Sequence, residues 1–131
     1  MATVRPLEVY LVEDALGVRE RLKSLLESIE GVHVVGLAER ADTAIDEILA
    51  LRPDVAILDI ALAHGTGFDV LRALRERAPA IDSYMLSNFS STAYRERAAE
   101  LGACDLFDKS FEFEAVRDAV KQRVAGLTQA P

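Results

Sequence analysis

The sequence has a single cysteine, Cys104, in 131 residues. An internal disulfide is therefore excluded, as are the paired-cysteine patterns of zinc and redox sites. Histidine is almost as scarce. His33 and His64 beside one cysteine make a poor ligand set for zinc. No apolar run approaches the roughly 18 residues that a membrane span needs, and the opening stretch MATVRPLEVY lacks the long apolar core of a signal peptide. Basic residues are in deficit: 15 Lys and Arg stand against 22 Asp and Glu, for a net charge of −7. That balance disfavours direct contact with nucleic acid or an anionic membrane. These absences point to a cytoplasmic protein whose charge suits a cationic partner or a divalent ion.

What is present is an ordinary globular composition, 50% hydrophobic and 28% charged, in a chain long enough for one domain only. Short apolar runs alternate with segments of helical period. Leu7–Val12 is rich in strand formers, and Val18, Leu22, Leu25, Leu26 and Ile29 then line one helical face before Gly31. Val32 to Leu37 is a second strand, followed by the helical stripe Ile45, Ile48 and Leu49 that Pro53 ends. Val55-Ala56-Ile57-Leu58 has no polar alternation, as expected of a strand buried on both faces. Gly65 and Gly67 mark a loop before a helix carrying Phe68, Leu71 and Leu74, which Pro79 closes. Ile81 to Leu86 is the fourth strand. Ser91 is placed to cap a helix that Gly102 terminates.

The fifth strand, Cys104 to Phe107, leads to Ser110 as another cap, with Glu112 and Glu114 in the first turn and Phe113, Val116, Val120 and Val124 as the buried stripe. The tail GLTQAP reads as frayed. Five strand–helix repeats with short connections predict an α/β fold, a doubly wound five-stranded parallel sheet with five helices.

Ligands of such sheets bind beyond the carboxyl ends of the strands. Here the first strand runs into Glu13-Asp14, the third into Asp59, the fourth into Ser87-Asn88 and the fifth into Asp108-Lys109. Each has a plainer reading alone: an acidic pair before a helix is usually a cap or dipole partner, and an Asp after a strand a turn former. A lone Ser87 is a loop hydroxyl and a lone Lys109 a solvated charge. Those readings leave unexplained why all four occur at corresponding strand ends.

Three gathered carboxylates would force a proton onto one of them unless a cation intervenes, and hard oxygen ligands select Mg²⁺ or Ca²⁺ over zinc. With Mg²⁺ present, Asp59 could act as a nucleophile toward a phosphoryl group. Ser87 would then supply a hydrogen bond and Lys109 a positive charge to the phosphoryl oxygens.

These residues resemble the response-regulator receiver family of two-component signalling. The likeness spans roughly residues 7–124 and rests on VED (Val12–Asp14), PDVAILD (Pro53–Asp59), GTG (Gly65–Gly67), MLS (Met85–Ser87) and DKS (Asp108–Ser110). Only the ordered set is specific. The resemblance implies a flavodoxin-like receiver fold, one domain over residues 1–131 without an output domain, and a switch that catalyses only its own phosphorylation and dephosphorylation. It implies Asp59 as phosphoacceptor, and Mg²⁺ held by Asp14, Asp59 and the Ala61 backbone carbonyl, with Glu13 acting through water. Ser87 matches the family's switch hydroxyl and Lys109 its phosphate-binding lysine. The implied donor is a sensor histidine kinase or phosphotransfer protein. The output partner stays open, and dimerisation through the fourth and fifth helices is allowed.

Three positions depart from the family pattern. Leu106 stands where an aromatic usually reports phosphorylation, and Phe107 should face the other side of the strand. Ala63 replaces a frequent proline, which predicts a less rigid loop. Asn88 replaces a small residue. His64 reads as an exposed loop residue, His33 as partly buried or at an edge, and Cys104 as a small packed side chain. Tyr94, Arg95 and Arg97 read as an ordinary amphipathic surface, near where receivers commonly meet partners. The main rival is a receiver-like interaction module that acts without phosphorylation, favoured by Leu106 and Asn88 and opposed by the intact acids and Lys109. A flavin carrier would need a phosphate-cradling loop where EDALG is acidic. An aspartate phosphatase usually wants an acid where Ala61 stands.

Overall fold

Val55, Ala56, Ile57 and Leu58 are all buried, as the unbroken apolar run requires, because they form the central strand of a parallel sheet. In this computed structural model, which describes residues 5–129, strands and helices alternate. They are β1 (Leu7–Val12), α1 (Leu16–Glu27), β2 (Val32–Ala38), α2 (Ala41–Leu51), β3 (Val55–Leu58), α3 (Gly67–Arg77), β4 (Asp82–Ser87), α4 (Thr92–Glu100), β5 (Asp105–Asp108) and α5 (Ala115–Gln129). The sheet order is β2-β1-β3-β4-β5, and every pairing is parallel. The order reverses between β1 and β3, which opens a crevice at their carboxyl ends.

Alternation along the strands sorts the core into two layers. Tyr10, Val12, Ala56, Leu58, Met85 and Leu106 pack with α2, α3 and α4 residues such as Ile48, Leu71 and Ala98. Leu7, Val9, Leu11, Ile57, Leu86 and Phe107 pack with Leu22 and Leu26 of α1 and Val116 and Val120 of α5. Leu106 and Phe107 thus face opposite sides, as their adjacency predicts. Among the described residues no helix is long and apolar enough to cross a membrane.

Register sets the functional edge. Val12 pairs with Leu58 and Ser87 with Asp108. Glu13 and Asp59 therefore leave the sheet side by side, while Lys109 begins one residue beyond Ser87. A shift by one residue would turn these side chains to the wrong face.

Several local expectations need correction. Gly67 is the first residue of α3 rather than part of a loop, and Thr66 caps that helix reciprocally with Asp69. Ser91 occupies the cap position of α4 but makes no side-chain capping bond. Ser110 is not a cap at all, since α5 begins at Ala115. Asp108 Oδ1 accepts the amides of Ser110 (2.8 Å) and Phe111 (3.2 Å), which curls residues 109–114 into turns first. Cys104 is exposed rather than packed. The tail through Gln129 is helical, and Ala130 and Pro131 lie outside the described residues.

Candidate functional site

The carboxyl groups of Glu13 and Asp59 are buried at the crevice, whereas Asp14 is exposed. Lys109 reaches across from β5 and places its Nζ 2.6 Å from Glu13 Oε1 and 2.8 Å from Asp59 Oδ2. Its side chain is itself only 12% exposed. One amine thus ties acids from two other strands. Glu13 Oε2 also accepts the Ala15 amide (3.0 Å), and Asp59 Oδ1 accepts the Ile60 amide (2.7 Å). Both carboxylates are oriented by backbone as well as by charge.

Oxygens of Glu13, Asp14 and Asp59 lie within 4.8 Å of one another. Burial raises the Glu13 carboxyl above its ordinary range; the Lys109 and Ala15 hydrogen bonds oppose this, and the Asp59 charge adds to it. Burial alone would lower the Lys109 ammonium, but its bonds to Asp59 and Glu13 outweigh that and raise it. Lys109 therefore stays cationic. When all groups are ionised, three carboxylates against one ammonium leave two negative charges in excess, the complement of a divalent ion. This oxygen-only donor set, with one acid open to solvent, fits Mg²⁺ with its retained waters.

The segment after Asp59 is held by hydrogen bonds rather than by proline. The Ala63 amide donates to Glu39 O (3.1 Å), a bond proline could not make, and Ala41 N donates to His64 O (2.9 Å). Ala61 bridges Thr66, and exposed His64 bridges Arg40. The loop is pinned, contrary to the looser loop that Ala63 predicts. His33 is exposed on the edge strand β2.

Gly67 was legible only as a loop glycine, yet it abuts the phosphoacceptor candidate. A Cβ there would fall on the Asp59 carbonyl oxygen and lie 2.9 Å from Met85 Cε. Backbone cannot yield as a side-chain tip can. Gly67→Ala is therefore expected to cost about 3 kcal/mol, at the upper end of ordinary overpacking. Urea denaturation checks this, and an unchanged midpoint would show that Asp59 and α3 separate freely.

Ser87 is fully buried at the end of β4. Its Oγ accepts the Phe89 amide (3.1 Å), and its carbonyl accepts the Lys109 amide (3.1 Å). Asn88 is exposed, and the Phe89 ring packs on Tyr94, which stacks on Phe68. Sequence reasoning missed the group beside them. Arg95 bonds Ser90 O, Leu106 O and Glu112 Oε1, while Asp108 accepts the Ser90 hydroxyl. The Arg95 guanidinium holds the Glu112 carboxyl below the usual range, and the Ser90 hydroxyl does the same for Asp108. No local motif flags a cluster drawn from four segments.

The family model described as the response regulator receiver domain matches residues 9–121. The sensory transduction protein LytT of Bacillus cereus is 32% identical over 121 residues, covering 88% of this chain and 46% of LytT. Protein-glutamate methylesterase/protein-glutamine glutaminase 1 of Syntrophus aciditrophicus is 34% identical over 105 residues, covering 79% of this chain and 30% of that protein. The chain thus spans less than half the length of either relative, and the activity in the second name is a property of that protein. The signal receiver domain of the putative response regulator NarL from Mycobacterium tuberculosis superposes with a TM-score of 0.84 at 26% identity, covering 93% of this chain and 98% of that one.

Proposed function

This chain belongs to the response regulator receiver domain family, and on that premise we propose that it is a switch set by transfer of a phosphoryl group to Asp59 in the presence of Mg²⁺. The observation that carries the reading is Lys109 Nζ bonded at once to Glu13 and Asp59, with an Asp14 oxygen beside them. Receiver domains meet histidine kinases or phosphotransfer proteins, so a phosphohistidine is the proposed donor. Residues about 7–124 form the single receiver unit.

Asp14, Asp59 and the Ala61 carbonyl would hold the Mg²⁺, with Glu13 acting through water. When bound, the ion neutralises the oxygens of the incoming phosphoryl group. The chain's own residues do the rest. An Asp59 carboxylate oxygen attacks phosphorus, the P–N bond to the donor imidazole breaks, and an aspartyl phosphate forms. Lys109, already protonated and in contact with Asp59, turns to the phosphoryl oxygens. The Ser87 hydroxyl donates a further hydrogen bond from β4. Glu13, released by Lys109, keeps its anchor on the Ala15 amide.

The full chain mixed with Mg²⁺ and a small acyl phosphate such as acetyl phosphate is expected to gain the mass of one phosphoryl group. Chelating the metal should remove the gain. A chain that stays unlabelled at saturating Mg²⁺ and donor overturns the assignment.

A further inference from the structure

Helix α4 is thinly anchored. Of its nine residues only Ala98 is fully buried, and between it and the start of β5 lies a pocket of about 120 Å³, open to solvent at exposed Cys104 and Asp105 and floored by Ala98 and Leu106. Leu106, buried at 2% exposure, lines the inner end of that pocket. A helix with little apolar burial belongs to the low-stability end of a fold.

Polar bonds supply what packing does not. Arg95 donates from Nε to Ser90 O (2.9 Å), from Nη1 to Leu106 O (2.5 Å) and from Nη2 to Glu112 Oε1 (2.8 Å). The same Glu112 oxygen accepts the Asp108 amide (3.1 Å), and the Asp108 carboxylate accepts the Ser90 hydroxyl. Asp108 immediately precedes Lys109, whose amine rests on Asp59. An unbroken series of bonds therefore runs from Asp59 through Lys109, Asp108 and Glu112 to Arg95.

We propose that Arg95 is the positioning residue through which α4 senses the state of Asp59, on the face of β5 where Leu106 offers no ring. The inference rests on Asp59 being the phosphoacceptor. A phosphoryl group on Asp59 draws the Lys109 amine away from the Asp59 and Glu13 carboxylates. The turn at Asp108 follows, the Asp108–Glu112–Arg95 bracket loosens, and α4 shifts against β5, closing on the pocket between them. Such coupling requires a discrete element with two arrangements; a thinly packed helix beside an open pocket, whose side-chain bonds to β5 and to the turn after it come from Arg95, suits that role.

The experiment uses the full chain with Mg²⁺ and acetyl phosphate, comparing the wild type with Arg95→Ala and Glu112→Gln. Mass spectrometry reads phosphorylation, and NMR reads the amides of Ala98, Ala99 and Leu106. Arg95 is partly exposed and outside the crevice, so the expected labelling is the same in all three, and a cooperative melt reports that each is folded. In the wild type the three amides shift on phosphorylation. In Arg95→Ala the shift is expected to fall at least about fivefold, the low end of ordinary coupling between sites, with a smaller loss in Glu112→Gln. Labelled Arg95→Ala whose α4 amides respond like the wild type overturns the role of Arg95. Labelled wild type with a motionless α4 overturns the proposal as a whole. An unlabelled wild type sinks the phosphoacceptor reading, and this inference with it.

Discussion

Asp59→Asn is expected to lose phosphoryl acceptance completely, with no mass gain under conditions that label the wild type fully. The amide is nearly the same size and can still accept the Ile60 amide hydrogen bond that Asp59 Oδ1 accepts now. It lacks the negative charge and nucleophilic oxygen that displacement at phosphorus requires. It also ends the 2.8 Å ion pair with Lys109, which leaves Glu13 as that amine's remaining carboxylate contact among the described residues. The fold should therefore persist while the chemistry vanishes. Label appearing at another carboxylate in Asp59→Asn, at wild-type extent, would reject Asp59 as the acceptor.

Lys109→Met is expected to be strongly destabilising when Mg²⁺ is withheld. Methionine keeps much of the buried stem and deletes the charge. Glu13 and Asp59 then face each other without their ammonium. Breaking a buried pair by removing one partner costs about 3 kcal/mol or more, and the low end applies because a carboxyl can take up a proton. The loss should be largest at neutral pH and smaller in mild acid, where Glu13, already raised by burial, protonates. Saturating Mg²⁺ should restore much of the stability by neutralising the same acids. Melts across pH with and without the ion measure both. Equal melting of variant and wild type without Mg²⁺ would mean that Lys109 does not hold the acids together.

The two predictions bear on different kinds of residue. Asp59 was recognisable because its strand is an unbroken apolar run, so the first carboxylate after it must sit at a sheet edge. Lys109 was recognisable because it follows a fifth run at the corresponding edge. Gly67 was visible as a glycine, but its reason, contact with the Asp59 carbonyl, joins two segments through space. Ser110 shows the opposite failure. Its cap chemistry was plausible locally, but the Asp108 carboxylate captured the nearby amides and delayed α5 to Ala115. Cys104 failed for a related reason: apolar character suggested packing, but its place before β5 leaves it at the surface.

The period of apolar residues by itself determined the strands, the helices and the doubly wound class, because burial on one or both faces dictates that period. It also delivered Glu13, Asp14, Asp59, Ser87 and Lys109 to one edge, since all parallel strands end on the same side. Only the tertiary structure decided that Lys109 bonds Glu13 as well as Asp59, that Glu13 is enclosed while Asp14 is open, and that Arg95 braces α4. Those outcomes depend on register between neighbouring strands and on side-chain reach across them. Neither is written in the spacing of residues along a single segment.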